Sequence, residues 1–330
     1  MPGAKQIGVM LVHGMGDQSP DWADELITRL DAEVLHQTAS LLDAVPADPR
    51  GLLAVGRVHW APPLEPGQIE LRRILEAARS GAFAHGALRR LLRALLRPWR
   101  KWEAKFVAEF IGDVIGYRNP EARDAIYAAF TDAFNLVAED LAPADPGTPS
   151  TIAGADPSHS STAAGASGKA PVTIIAHSLG TVISSDYVWD MTNARRAHGE
   201  AGFHPRLELA NLFTVGSPLA LFSLRYGGPA AFSLPISVEH PGGRWINLYD
   251  PDDPIGMPLK PLNEAYHRAV FRDVQVDAGP YLLAHSRYFT RSATLALIAR
   301  KLALDWVALN ERLPPDDMSA RYAAYDTELT

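Results

Sequence analysis

Val172-Thr173-Ile174-Ile175-Ala176-His177-Ser178-Leu179-Gly180 is a β-branched apolar run that stops at a serine, with the small residues Ala176 and Gly180 two positions to either side. Thr181 to Trp189 can continue as a helix. A strand that feeds a helix through so tight a turn holds the intervening serine in a strained backbone conformation, its hydroxyl pointing away from the sheet. The positions two before and two after must be small, because larger side chains collide where strand and helix converge. Ala176 stands where glycine is commoner and keeps that steric logic. The competing reading is a serine at an ordinary strand-to-helix turn, and the rest of the chain must decide between them.

Upstream, Ile7 to Val12 is another apolar β-type run, and it enters His13-Gly14-Met15-Gly16-Asp17. Glycines directly after a buried strand mark backbone that turns sharply or approaches a ligand closely. Ser19-Pro20-Asp21 opens a helix from Trp22 to about Leu42, with Leu26, Ile27, Leu30, Val34 and Leu41 at helical spacing. Pro46 and Pro49 end it, and Leu52 to Trp60 reads as a strand. Downstream, Leu207 to Val215 is a strand closed by Gly216-Ser217-Pro218, and Trp245 to Tyr249 is a strand that delivers the chain into Asp250-Pro251-Asp252-Asp253-Pro254. A last helix, about Ser292 to Leu309, precedes a polar tail. This alternation specifies an α/β class with a mostly parallel central sheet flanked by helices. At 330 residues and 47% apolar composition, one core over residues 1–330 is expected.

From Gln68 to about Leu141 the pattern is helical, too much for one crossover, so residues 61–142 are read as an inserted helical cap or lid. Within it, Leu88, Leu91, Leu92, Leu95, Trp99, Trp102, Phe106 and Phe110 recur at helical spacing, and Arg89, Arg93 and Arg97 lie between them. Such a cationic stretch with tryptophans is a lid or an interfacial helix that touches anionic lipid head groups, or a helix packed on the core with a solvated basic face. Residues 143–170, rich in Ala, Ser, Gly, Pro and Thr without periodicity, are expected to form a flexible loop, which makes His159 a poor catalytic candidate.

Several classes are excluded. Without cysteine there is no disulfide framework, thiolate metal site or cysteine nucleophile, and no cofactor or metal is expected. A formal net charge of −7 argues against general nucleic-acid affinity. The N-terminal apolar run is too short for a signal-peptide core and lacks its cleavage site, and no run approaches the ~18 residues of a membrane span. The expectation is a cytoplasmic protein, in peripheral contact with anionic membrane if the basic stretch is interfacial.

A serine hydroxyl needs an imidazole to take its proton and a carboxylate to fix that imidazole's tautomer. In α/β-hydrolases the order is serine, then an acid after a later strand, then a histidine before the last helix. Asp250, Asp252 and Asp253 all follow the strand ending at Tyr249, and position alone does not separate them. His285 lies just before the final helix. His240 precedes the acid loop, and His267 reads as a polar residue of a helical turn. The oxyanion of a tetrahedral intermediate needs two donors, assigned to the backbone N–H of Leu179 and the amide of Met15.

At these residues the chain resembles the lipase branch of the α/β-hydrolases, and more narrowly the DDHD-type intracellular phospholipase A1 proteins. The similar blocks are Asp113-Val114-Ile115-Gly116-Tyr117 with Asn119-Pro120, Ala176 to Gly180 continuing to Asp186, Phe213 to Leu219, and Leu248-Tyr249 through Asp253-Pro254-Ile255 to Pro261-Leu262. The resemblance implies an α/β-hydrolase fold, with Asp253 as the acid behind His285, which is followed by aromatics as in lipases. The function it implies is hydrolysis of carboxylic esters, foremost lipid or phospholipid acyl esters, through Ser178, His285 and Asp253. Within the same chemistry stand a soluble-ester esterase, a thioesterase and an acyltransferase. From a different class stands a non-catalytic scaffold that docks on anionic membranes through the stretch holding Arg89, Arg93, Arg97, Trp99 and Trp102.

Overall fold

A computed structural model gives the structure of residues 5–14, 21–46, 51–60, 117, 119–142, 168–232, 235–238, 240, 242–280, 283–311 and 313–330. Six strands form one sheet: β1 (Ile7–Val12), β2 (Leu53–Val58), β3 (Ala170–His177), β4 (Leu207–Val215), β5 (Arg244–Tyr249) and β6 (Arg272–Gln275). Their spatial order is β2-β1-β3-β4-β5-β6, and every neighbouring pair is parallel.

The continuous apolar character of β1 and β3 follows from burial on both faces of a parallel sheet. Side chains alternate across a strand. Met10, Val12, Ile174 and Ala176 therefore join one core, while Ile7, Val9, Leu11 and Ile175 join the other. The first core is covered by α2 (Pro120–Asp140) and α3 (Leu179–Ala197), with the short α4 (Leu219–Phe222) and α5 (Glu264–Ala269) contributing Leu219 and Tyr266; the second by α1 (Asp24–Leu42), which packs on α7 (Ser292–Asn310), by the short α6 (Ala284–Arg287) and by α8 (Pro315–Glu328). The start of α2 is set by Asn119, whose side chain accepts from the backbone N–H of Glu121 at 3.0 Å, and by Pro120 at the first helical position. Ile126, Phe130, Ala133, Phe134 and Val137 then line its buried stripe. This helix sits directly on β1 and β2. Residues 120–140, read from the sequence as the end of the inserted helices, thus belong to the layer that covers the sheet.

Two further elements lie where the sequence suggested none. The polar tail is the helix α8: proline opens it, Asp316 and Asp317 occupy its first turn, and Tyr325 alone within it is buried. Met318, Tyr322, Tyr325 and Leu329 recur at helical spacing against the second core, but the charged and polar residues between them make the stretch read as a polar tail. The edge strand β6 is only four residues long and buries Val274 alone, so it lacks a pattern.

A polar network pins α7 and α8 beneath the sheet. The Asn211 side-chain amide donates to Thr173 Oγ1 at 2.9 Å and to Asp305 Oδ2 at 2.7 Å. Asp305 Oδ1 accepts from Lys301 Nζ at 2.6 Å and from the Tyr322 hydroxyl at 2.9 Å. Burial lowers the Lys301 ammonium below its ordinary range, and Asp305 partly offsets this. Among the described residues, no helix is long and apolar enough to cross a membrane.

The strand order places one location apart from the rest. The chain moves outward from β1 to β2, then from β3 through β6 in the other direction, so the order reverses between β1 and β3. In open parallel sheets, the carboxyl ends of the strands flanking such a reversal border the crevice where ligands bind. Here β1 runs out into His13 and Gly14, and β3 runs out into Ser178.

Candidate active site

Ser178 adopts φ 53° and ψ −130° between β3 and α3. Left-handed φ at a residue with a Cβ costs on the order of 1–3 kcal/mol and persists only where the surroundings over-determine it. Here the Ser178 N–H donates to the Val215 carbonyl at 2.9 Å, and the Ser178 carbonyl accepts from the Thr181 N–H at 3.0 Å and the Thr181 hydroxyl at 2.7 Å. The Thr181 and Ser217 hydroxyls are 2.7 Å apart, which joins the turn to the loop after β4. The small residues around Ser178 have different reasons. A Cβ on Gly180 would lie 2.3 Å from the His13 carbonyl oxygen, which is backbone and cannot swing aside. Ala176 already has its Cβ, buried within the apolar core, so alanine is accommodated there.

The loops after β5 and β6 supply the partners. His285 lies in the short helix α6 (Ala284–Arg287), and its Nε2 is 2.7 Å from Ser178 Oγ. On the other side of the ring, Nδ1 is 2.8 Å from Asp253 Oδ2. Ser178, His285 and Asp253 are 0%, 3% and 4% exposed, so this chain of contacts is shielded from bulk water. The geometry also separates the three aspartates. Asp250 Oδ1 accepts from the Asp252 N–H at 2.8 Å and Oδ2 from the Ala278 N–H at 2.6 Å, so its carboxylate holds the loop. Asp252 points to solvent. Asp253 alone meets the imidazole; its Oδ1 accepts from the Ile255 N–H at 3.0 Å. A Cβ on Gly256 would lie 2.4 Å from Asp253 Oδ2, so glycine there leaves room for the carboxylate. His267 is exposed in a short helix (Glu264–Ala269), and His240 pairs with Glu208 at 2.5 Å, away from Ser178.

The exit of β1 approaches the same serine. A Cβ on Gly14 would lie 2.8 Å from Ser178 Cβ and 2.9 Å from His177 Nδ1. His13 stacks on Trp60 at 4.8 Å, accepts the Trp60 N–H on Nε2 at 3.4 Å and is 2.5 Å from the Gly14 carbonyl through Nδ1. That pairing requires the Nδ1–H tautomer. His177 uses its Nε2–H to hold the His285 carbonyl at 2.7 Å. Leu179 opens α3, where first-turn N–H groups lack intrahelical partners and the helix dipole is positive. Met15 lies outside the described residues, as do Arg89, Arg93, Arg97, Trp99 and Trp102 and positions 61–116 and 143–167 of the expected cap and loop.

The electrostatics follow from burial. Burial pushes His13 and His177 down from 6.5 to about 3, and His204 to about 4. Burial alone would raise the Asp253 carboxyl, but its hydrogen bond with His285, with smaller contributions from Ile255 and Tyr288, leaves it below its ordinary value. A histidine kept neutral in the fold but free to protonate when unfolded stabilises the native state above its unfolded value. That stability is lost as pH falls below 6.5, at a slope of up to ~1.4 kcal/mol per pH unit for each histidine. The Asp253 contribution has the same sign and is lost in a lower window, below the ordinary carboxylate range. The midpoint of urea unfolding is therefore expected to fall clearly between pH 7 and pH 5; an unchanged midpoint would contradict this burial.

The sequence brought forward Ser178, His285 and the aspartate cluster; it held His177 and Gly216 within motifs and Tyr288 among the aromatics after His285, but gave none of the three a role. Tyr288 is three residues beyond His285, one turn away, and is read as one more aromatic until its hydroxyl is located. Among the described residues, no group of three or more His, Asp or Glu side chains is arranged to hold a metal ion. Comparison with known protein-family models, curated proteins and solved structures finds no match for this chain.

Proposed function

We propose that the chain is a serine hydrolase of the α/β-hydrolase type that cleaves carboxylic esters, with lipid or phospholipid acyl esters as its foremost substrates. The observation that carries this reading is the hydrogen-bonded run from Ser178 Oγ through His285 to Asp253, at 2.7 and 2.8 Å, starting from a serine held at φ 53°. In this reading His285 Nε2 takes the proton as Ser178 Oγ attacks the ester carbonyl. Asp253 keeps the Nδ1–H tautomer and stabilises the imidazolium that forms. The N–H of Leu179, and in our assignment that of Met15, receive the oxyanion. His285 then returns the proton to the departing alcohol, and a water activated the same way releases the acid from the acyl-enzyme.

The lipid class is favoured by the sequence blocks similar to the DDHD-type phospholipases. Two of these blocks meet in the fold: the buried Tyr117 hydroxyl donates to Asp186 Oδ2 at 3.0 Å. A scaffold that only bound lipid would have no use for a strained serine with both partners in reach. The test is turnover of p-nitrophenyl esters of graded chain length, beside phospholipid and lysophospholipid. A preference for long acyl chains supports the lipid assignment; a preference for acetate or butyrate moves it to a soluble-ester esterase.

A further inference from the structure

Asp253 Oδ2 accepts from a second group besides His285. The Tyr288 hydroxyl donates to it at 2.9 Å, and the Tyr288 hydroxyl oxygen in turn accepts from the Asp250 N–H at 2.9 Å. The direction of this relay is fixed by chemistry. A backbone N–H can only donate, so the tyrosine oxygen accepts from Asp250, and its own proton goes to the carboxylate. Tyr288 is fully buried, and a Cβ on Gly216 would lie 2.7 Å from its ring and 3.0 Å from Asp253 Oδ2. Gly216 at φ 55° thus leaves room for both groups at the end of β4. His285 and Tyr288 come from one continuous turn, α6 and the 3-10 turn Tyr288–Thr290, so a single segment presents two donors to one carboxylate oxygen. The backbone of that 3-10 turn is held to α1 by Arg29, whose guanidinium donates to the Phe289 carbonyl at 2.8 Å.

We infer that Tyr288 is a positioning residue of the Ser178 site: its hydroxyl fixes Asp253 Oδ2 against His285 and tunes how strongly that carboxylate attracts the imidazole proton. The inference rests on the proposed hydrolase for its kinetic consequence, but the hydrogen bond it describes exists whether or not the chain turns over esters.

Tyr288→Phe keeps the ring and removes the donor. With one hydrogen bond fewer, Asp253 becomes more basic and favours the imidazolium more. The acidic limb of the kcat/KM profile should then move up by about half a pH unit. Loss of the fixed carboxylate should lower kcat roughly 10-fold with KM little changed. Replacing Tyr288 by 3-fluorotyrosine keeps the hydroxyl but makes it a stronger donor, and should move the limb the other way. This variant also covers the case in which Tyr288→Phe does not fold. Independently of turnover, the hydrogen-bonded Nδ1 proton of His285 should shift further downfield in the proton NMR spectrum of Tyr288→Phe. If no ester is turned over but this resonance moves, the hydrolase reading falls and the positioning role stands. If the pH limb and the resonance are unmoved and only thermal stability drops, Tyr288 is mere packing and the inference is wrong.

Discussion

Ser178→Ala is expected to lower ester turnover by on the order of 10⁴- to 10⁶-fold, to the residual rate that substrate binding and oxyanion donors provide without a nucleophile. The substitution removes one oxygen and keeps the Cβ, so the alanine inherits the same φ of 53° at similar strain. The hydrogen bonds that hold the turn belong to the Ser178 backbone, to Thr181 and to Ser217, and all survive. The variant should therefore unfold within a few degrees of the parent while its turnover collapses. Retained turnover with wild-type stability would remove Ser178 from the chemistry.

Asp253→Asn should be nearly as damaging, with kcat lower by about 10⁴-fold. An uncharged amide neither stabilises the imidazolium nor enforces the Nδ1–H tautomer. The informative comparison is Asp250→Asn, three residues earlier in the same loop. The Asp250 carboxylate accepts the Asp252 and Ala278 N–H groups, whereas Asp253 Oδ2 pairs with the imidazole. Weakening those bonds should cost ~1–2 kcal/mol of stability and only a small fraction of kcat. A larger loss of kcat in Asp250→Asn than in Asp253→Asn would reverse the assignment of the acid.

The legible part of this molecule was the part where physical demands leave a pattern in the residues. A parallel strand buried on both faces must be largely apolar, and Ile7–Val12, Ala170–His177 and Leu207–Val215 are, with Thr173, Asn211 and Thr214 buried in hydrogen bonds. The need for a small residue at 180 was legible, although the sequence argument put the crowding where β3 meets its own helix and the structure puts it against Val12 and the His13 carbonyl of the neighbouring strand's exit. Other elements left a fainter trace: β6 buries only Val274, and the core-facing stripe of α8, Met318, Tyr322 and Tyr325, is diluted by the polar residues around it. The site divided along the same line. Ser178 and His285 were marked by their places relative to strands and helices. Asp250, Asp252 and Asp253 share one loop after one strand, and only the side-chain hydrogen bonds tell them apart. The Tyr288 hydroxyl and the His177 hold on the His285 carbonyl are contacts across 35 and 108 residues of chain, which no local pattern encodes.

The central claim is that Ser178 is the activated nucleophile. Its most direct test is mass spectrometry of the intact protein after treatment with a fluorophosphonate, followed by peptide mapping. A single adduct on Ser178, absent from Ser178→Ala and strongly slowed in His285→Ala, is the expected result. No adduct on the folded protein, or an adduct that persists in Ser178→Ala, would contradict it.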